Sequence, residues 1–206
     1  MSRFIKVLLV VASLFAGSAA FAEPVAGRDY TILNPPQPTG KNKIEVLEFF
    51  FYGCSHCYSL HPLLNKWEKT KPKDVEMILV PTIFRDSWEP MARTFYALES
   101  MGQQKELDGP LYRAWNEDKL DLNDETKINN FIAKQGVDKA KFAAAYNSFS
   151  MQSKVTRAKQ MIRSYGISGT PSLVVDGKYL ITGLQPEDTI RALNEVIAMA
   201  RKERKN

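Results

Sequence analysis

Apolar residues change their spacing several times along this chain, and each change marks an element. From Ile44 to Tyr52 the run Ile-Glu-Val-Leu-Glu-Phe-Phe-Phe-Tyr is apolar on both alternate sets, which predicts a central strand covered on both faces. Gly53 breaks it. From Cys54 to about Lys71 the spacing becomes helical, with Cys57, Leu60, Leu64 and Trp67 on one face. Val75 to Val80 predicts a second strand, stopped by Pro81, and a strand-helix-strand unit of this length makes the two strands parallel. The next stretch carries helical spacing only. Met91, Phe95, Leu98 and Met101 form one stripe ending at Gly102, and Leu107 to Trp115 forms a second whose start is blurred by Gly109-Pro110. Asn123-Asp124-Glu125 caps a third, with Ile128, Phe131 and Ile132 as its stripe and Gly136 as its stop. A long fourth begins at Asp138 and carries Met151, Val155, Ala158, Ile162 and Tyr165 on one face before Gly166. Ser172–Val175 and Lys178–Ile181 then flank Asp176-Gly177, a two-residue hairpin signal. Pro186-Glu187-Asp188 opens a last helix with Ile190, Leu193, Ile197 and Ala200 inward. A parallel βαβ unit followed by an antiparallel ββα unit predicts one mixed sheet sandwiched by helices, an α/β fold with a helical block inserted.

The two ends lie outside this pattern. Arg3 and Lys6 precede the apolar run Val7–Phe15, and Ala20-Phe21-Ala22 supplies small residues where a signal peptidase cuts, so cleavage is expected between Ala22 and Glu23. A retained membrane anchor is the alternative, but the run is short of the roughly 20 residues a spanning helix needs. The prolines of residues 23–42 predict an irregular entry, with an edge strand near Tyr30–Leu33. Charge adds little. Without residues 1–22 the chain holds 26 basic and 23 acidic residues, scattered together, and implies no nucleic-acid partner. The basic end Arg201-Lys202-Glu203-Arg204-Lys205 reads as a solvated helix terminus.

The chemistry sits in two cysteines. An exported chain of this size with only Cys54 and Cys57 is not built on disulfides, and the tiny loop they close offers little stabilisation. Cys54 follows a strand and a glycine and opens a helix, where unpaired N–H groups and the helix dipole favour a thiolate. Cys57 lies one turn inward, within bonding reach but shielded. Cys54 is therefore the sulfur that attacks or is attacked, and Cys57 resolves the mixed disulfide. His56, between them, is placed to stabilise the Cys54 thiolate by donating to it or by its charge; the bland alternative is a solvent-facing ring. His61 reads as structural. Pro62 removes a backbone bond inside the helix and bends it. Thr170-Pro171 precedes a strand as either an ordinary trans proline or a cis bond brought against the cysteines, and spacing leaves both open. Glu48 is the one charge from Leu47 to Tyr52. Buried, it could pass a proton to and from Cys57; otherwise it pairs with a lysine or reaches solvent.

Taken together, Leu47-Glu48-Phe49-Phe50, Cys54-Ser55-His56-Cys57-Tyr58, Pro62, the helical block, Gly169-Thr170-Pro171 and the Asp176-Gly177 hairpin resemble the DsbA family of periplasmic thiol:disulfide interchange proteins, from roughly Ile44 to Ala200. The resemblance implies a thioredoxin-like fold divided as residues 23–85 and 167–206, with an inserted all-helical domain over 86–166. It further implies Cys54 as nucleophile, Cys57 as resolving thiol, His56 as tuner, Pro171 as a cis-proline after Thr170, and Glu48 as a buried acid. Reduced exported proteins and a membrane quinone-linked oxidase resembling DsbB are the implied partners of a periplasmic monomer that needs no cofactor or metal. Ser55 stands where the best-known members carry proline, and Thr170 where they carry valine; both adjoin the sulfurs and bear on redox potential and partner choice. A reductase or isomerase is the competing reading within this chemistry, although residues 23–42 are too short for the dimerisation domain of isomerases resembling DsbC. A metal-binding or chaperone-like module using Cys54, Cys57 and His61 is the reading from another class, with no second cysteine pair to close a site.

Overall fold

The computed structural model describes residues 23–205 of the chain. The expected signal segment, residues 1–22, lies outside the described residues. Five strands form one mixed sheet in the order β1-β5-β4-β2-β3, from β1 (Thr31–Ile32), β2 (Ile44–Phe50), β3 (Val75–Pro81), β4 (Ser172–Val175) and β5 (Tyr179–Thr182). β2 runs parallel to β3 in the register Ile44 with Val75 through Phe50 with Pro81, and antiparallel to β4, where Glu48 faces Leu173. The seven α-helices among the described residues are α1 (Ser55–Thr70), α2 (Glu89–Ser100), α3 (Gln104–Asn116), α4 (Glu125–Lys134), α5 (Lys139–Tyr146), α6 (Phe149–Ser164) and α7 (Pro186–Glu203). None is long and apolar enough to cross a membrane.

β2 is apolar on both alternate sets because helices cover both faces of the sheet. Ile44 and Val46 join Leu60, Leu64 and Trp67 of α1 and Leu193 and Val196 of α7 in one core cluster. Leu47 and Phe49 join Met91, Phe95, Leu98 and the inner residues of α4 to α6 in the other. Val46 and Phe49 are fully buried; a side chain of that kind contributes about 1.5–3 kcal/mol by leaving water. The inward face of α1 is Cys57, Leu60, Leu64 and Trp67, as its spacing predicts.

Two features of the chain differ from the periodicity. The stretch from Asp138 is two helices. Asp138 caps α5 by accepting from Lys141 N–H, but at Asn147 the helical turn closes and Ser148 turns extended (ψ 152°) to start α6. The face running from Met151 onward therefore belongs to α6 alone. The basic end is mostly exposed, as its composition suggests, but it is also paired. Arg201 Nε donates to Asp74 at 2.6 Å, and Arg204 donates to the Gly40 carbonyl at 2.9 Å and to Asp176, tying the end of α7 to the sheet. At the β4–β5 turn Asp176 and Gly177 both take positive φ (53° and 63°), which an Asp-Gly pair tolerates.

Candidate active site

β2 leaves the sheet through Phe51, Tyr52 and Gly53 and delivers Cys54 as the N-cap of α1. Gly53 is required by crowding: a Cβ there would lie 2.4 Å from Phe51 and 2.7 Å from Trp115. Cys54 Sγ accepts from the Cys57 N–H at 3.4 Å and lies 3.2 Å from the Thr170 carbonyl. Cys54 is half-buried and Cys57 fully buried, and both are free thiols. The Thr170-Pro171 bond is cis, so the alternative left open by spacing resolves with that backbone against Cys54.

Electrostatics separate the two sulfurs. A hydrogen bond from the Cys57 thiol, helped by the Thr170 side chain and the N–H groups of Cys57 and His56, outweighs burial and lowers Cys54 to about 5. Burial, then the hydrogen bond and charge of Cys54, raise Cys57 far above the ordinary thiol range. Their ionised and neutral states are thus divided within one helical turn.

Behind Cys57 lies an acidic compartment. Glu48 is 4% exposed, and burial, then Asp108 and Glu68, push it up to about 8. Among the described residues it makes no ion pair with a lysine. Asp108, on α3, is raised to about 7 by burial, held back by hydrogen bonds from Tyr52 Oη and Gln104 Nε2. Both carboxyls open into a cavity of about 350 Å³, also lined by His61. His61 Nε2 accepts from Asn65 Nδ2 at 2.9 Å, and burial lowers it to about 4, so its ring is neutral at pH 7.

An aromatic cluster surrounds the approach to Gly53. Phe51 stacks on Trp88 at 3.7 Å between ring centroids, Trp115 meets Phe51 edge-on at 5.4 Å, and the partly exposed Phe84 packs at 5.5 Å from Trp88. Among the described residues no group of three His, Cys, Asp or Glu side chains is arranged to hold a metal ion. A pair of sulfurs, one ionised at a helix start and one protonated behind it, is arranged for thiol–disulfide exchange.

Residues 45–193 match the family described as a DSBA-like thioredoxin domain. The chain belongs to the DsbA family. It is 37% identical to the thiol:disulfide interchange protein DsbA of Burkholderia cepacia, over 87% of this chain and 86% of that one. To the Pseudomonas aeruginosa protein of the same name it is 34% identical over 94% of each. Its fold matches the crystal structure of Pseudomonas aeruginosa DsbA with a TM-score of 0.84 at 33% identity, covering 89% of this chain and 97% of that one. For the Xylella fastidiosa oxidoreductase DsbA the TM-score is 0.81 at 30% identity, covering 87% and 98%. The mixed sheet is thioredoxin-like with a helical insertion, and the protein is a thiol:disulfide oxidoreductase.

In this DsbA-family protein the predicted site residues fall unevenly. Cys54, Cys57, Thr170 and Pro171 meet at the start of α1. Glu48 is near enough to Cys57 for its charge to raise that thiol. His56 is exposed on the first turn, and its backbone N–H is among the donors that lower Cys54. Sequence reasoning missed Asp108, Tyr52, Phe84 and Trp88. Asp108 follows Leu107 in an amphipathic helix and reads as its polar face; the one sign available was an aromatic pair, Phe84 and Trp88, in an otherwise polar turn.

Proposed function

We propose that the protein is a dithiol oxidase that passes a Cys54–Cys57 disulfide to reduced exported proteins. The observation that carries this reading is Cys54 as the accessible N-cap sulfur, lowered to about 5, with Cys57 buried and protonated behind it. A leaving thiolate that stable makes the bridged form the more reactive one. A client thiolate attacks Cys54 Sγ. The client–Cys54 bond forms as the Cys54–Cys57 bond breaks, and Cys57 leaves as a thiolate that takes a proton from Glu48. The client's second thiolate then attacks the client sulfur of the mixed disulfide, and Cys54 departs as a thiolate. Two electrons pass from the client dithiol to the protein, and the client's protons pass to solvent and to Glu48.

Other roles follow from position. The Thr170-Pro171 backbone fixes the edge of the site against Cys54, His56 contributes to the first turn, and Phe84 and Trp88 offer apolar contact to an unfolded client. The chain is read as exported to the periplasm after cleavage at Ala22, as a monomer with its helical domain over residues 86–166. A membrane quinone-linked oxidase resembling DsbB would restore the disulfide. Reactivation of reduced pancreatic ribonuclease tests the reading. The oxidised protein restores activity stoichiometrically and Cys54→Ser removes this; a Cys54→Ser protein that still reactivates ribonuclease ends it.

A further inference from the structure

We propose that Asp108 is a positioning residue for proton exchange at Cys57: it shares one proton with Glu48 across the buried compartment and biases that proton onto Glu48. The inference rests on the reading of Glu48 given above. The two carboxyls open into the same cavity, yet their surroundings differ. Asp108 accepts from Tyr52 Oη on one oxygen and from Gln104 Nε2 on the other, and hydrogen-bond donors favour a carboxylate. Among the described residues no such donor acts on Glu48; burial and the nearby acids Asp108 and Glu68 bear on it. Two carboxyls that share one enclosed compartment resist carrying two charges. The proton therefore resides on the one without donors, which is the one beside Cys57.

The remaining groups leave this arrangement intact. From α1, Cys57 is protonated, His61 is neutral, and Glu68 and Lys69 stand toward solvent on the cavity wall. From α3, Tyr112 is a buried phenol held neutral, and Lys105 is drawn outward, pairing with Glu68 at 3.0 Å. β3 and β4 contribute Met77, Leu79 and Leu173, which carry no charge. Tyr52, beyond the end of β2, is neutral and committed to Asp108. A cavity of about 350 Å³ with polar walls has room for several water molecules at about 30 Å³ each, a route by which Glu48 regains its proton from solvent. Once Glu48 has given that proton to the departing Cys57 thiolate, the Asp108 charge beside it drives its recovery.

Carboxyl ¹³C NMR titration of the reduced full-length mature protein tests this, with Asp108→Asn and Glu48→Gln as variants. Asp108→Asn is expected to lower the Glu48 midpoint by about one pH unit, and Glu48→Gln to lower that of Asp108 in return. Should Asp108→Asn fail to fold, the reciprocal titration carries the test alone. A kinetic readout separates proton supply from mere support of the fold. With one small thiol attacking the oxidised protein, the rate ratio of Asp108→Asn to wild type should fall across the interval between the two Glu48 midpoints. Midpoints unmoved in both variants overturn the shared proton, whatever the rates. A Glu48→Gln protein with the wild-type pH profile instead removes the reading of Glu48 as proton donor, and the role of Asp108 with it.

Discussion

The lip of the site and the compartment behind it are one helical turn apart and treat charge in opposite ways. At the lip, Cys54 faces the free N–H groups that open α1 and the thiol of Cys57, and its anion is stabilised despite partial burial. Behind, Cys57 and Glu48 are enclosed by apolar side chains and other acids, and their neutral forms win. The lesson is that donor supply outweighs burial at this depth. Two cysteines with the same intrinsic chemistry diverge because one reaches the unpaired end of a helix and the other lies a turn inside it. On the proposed reading, electron transfer falls to the lip and proton storage to the interior.

The largest effect that could break this contrast is in alkylation. At pH 6 limited iodoacetamide treatment of the reduced wild-type protein should modify Cys54 at least about a thousandfold faster than Cys57, as read by peptide mapping, since only Cys54 is largely ionised. Comparable rates would mean that the lip and interior do not differ.

Next in size is a difference in pH-dependent stability. In the folded reduced protein Cys54 has lost its proton above about pH 5, whereas the unfolded chain keeps it up to the ordinary 9.0. The unfolded state binds the extra proton in that window, so stability rises with pH. The reduced protein should gain stability relative to the disulfide form from pH 5 to 9 and lose that gain as pH falls through 5. Urea midpoints of both redox forms at pH 5, 7 and 9 measure it. Glu48 and Asp108 act in the reverse sense, losing stability as pH rises through about 7 to 8, but they are present in both forms.

A smaller perturbation targets the hinge between the two regions. Gly53→Ala forces a Cβ into Phe51 and Trp115 and should cost about 1–3 kcal/mol in denaturant unfolding, with Cys54 alkylation slowed as the lip is displaced. Smallest is the outer rim. Lys105→Gln removes an exposed pair with Glu68 and should change stability by under about 1 kcal/mol, leaving the Cys54 thiolate where it is. A large effect there would show that the cavity mouth, rather than the helix start, controls the lip.

Much of the lip is legible in the sequence because it is local. A strand apolar on both sides, a glycine, two cysteines three apart and a helical face through Trp67 each follow from nearest-neighbour rules. The interior is less legible because it is assembled from distant segments. Tyr52 and Asp108 are 56 positions apart, and a single buried acid beside Leu107 leaves no trace in hydrophobic periodicity. Spacing alone left Thr170-Pro171 open, since its isomer depends on what packs against it. The break at Asn147-Ser148 was hidden for a similar reason: both flanking segments favour helix, and only the turn between them decides that there are two. The pairings of Arg201 and Arg204 were hidden because their acceptors, Asp74 and Asp176, belong to other elements.

The central claim, an ionised Cys54 held by the Cys57 thiol and the helix-start N–H groups, is tested most directly by following thiolate ultraviolet absorbance of the reduced protein against pH, with Cys54→Ser as the blank. The account predicts a single thiolate appearing with a midpoint of about 5. A midpoint near 9.0, the ordinary thiol value, would contradict it.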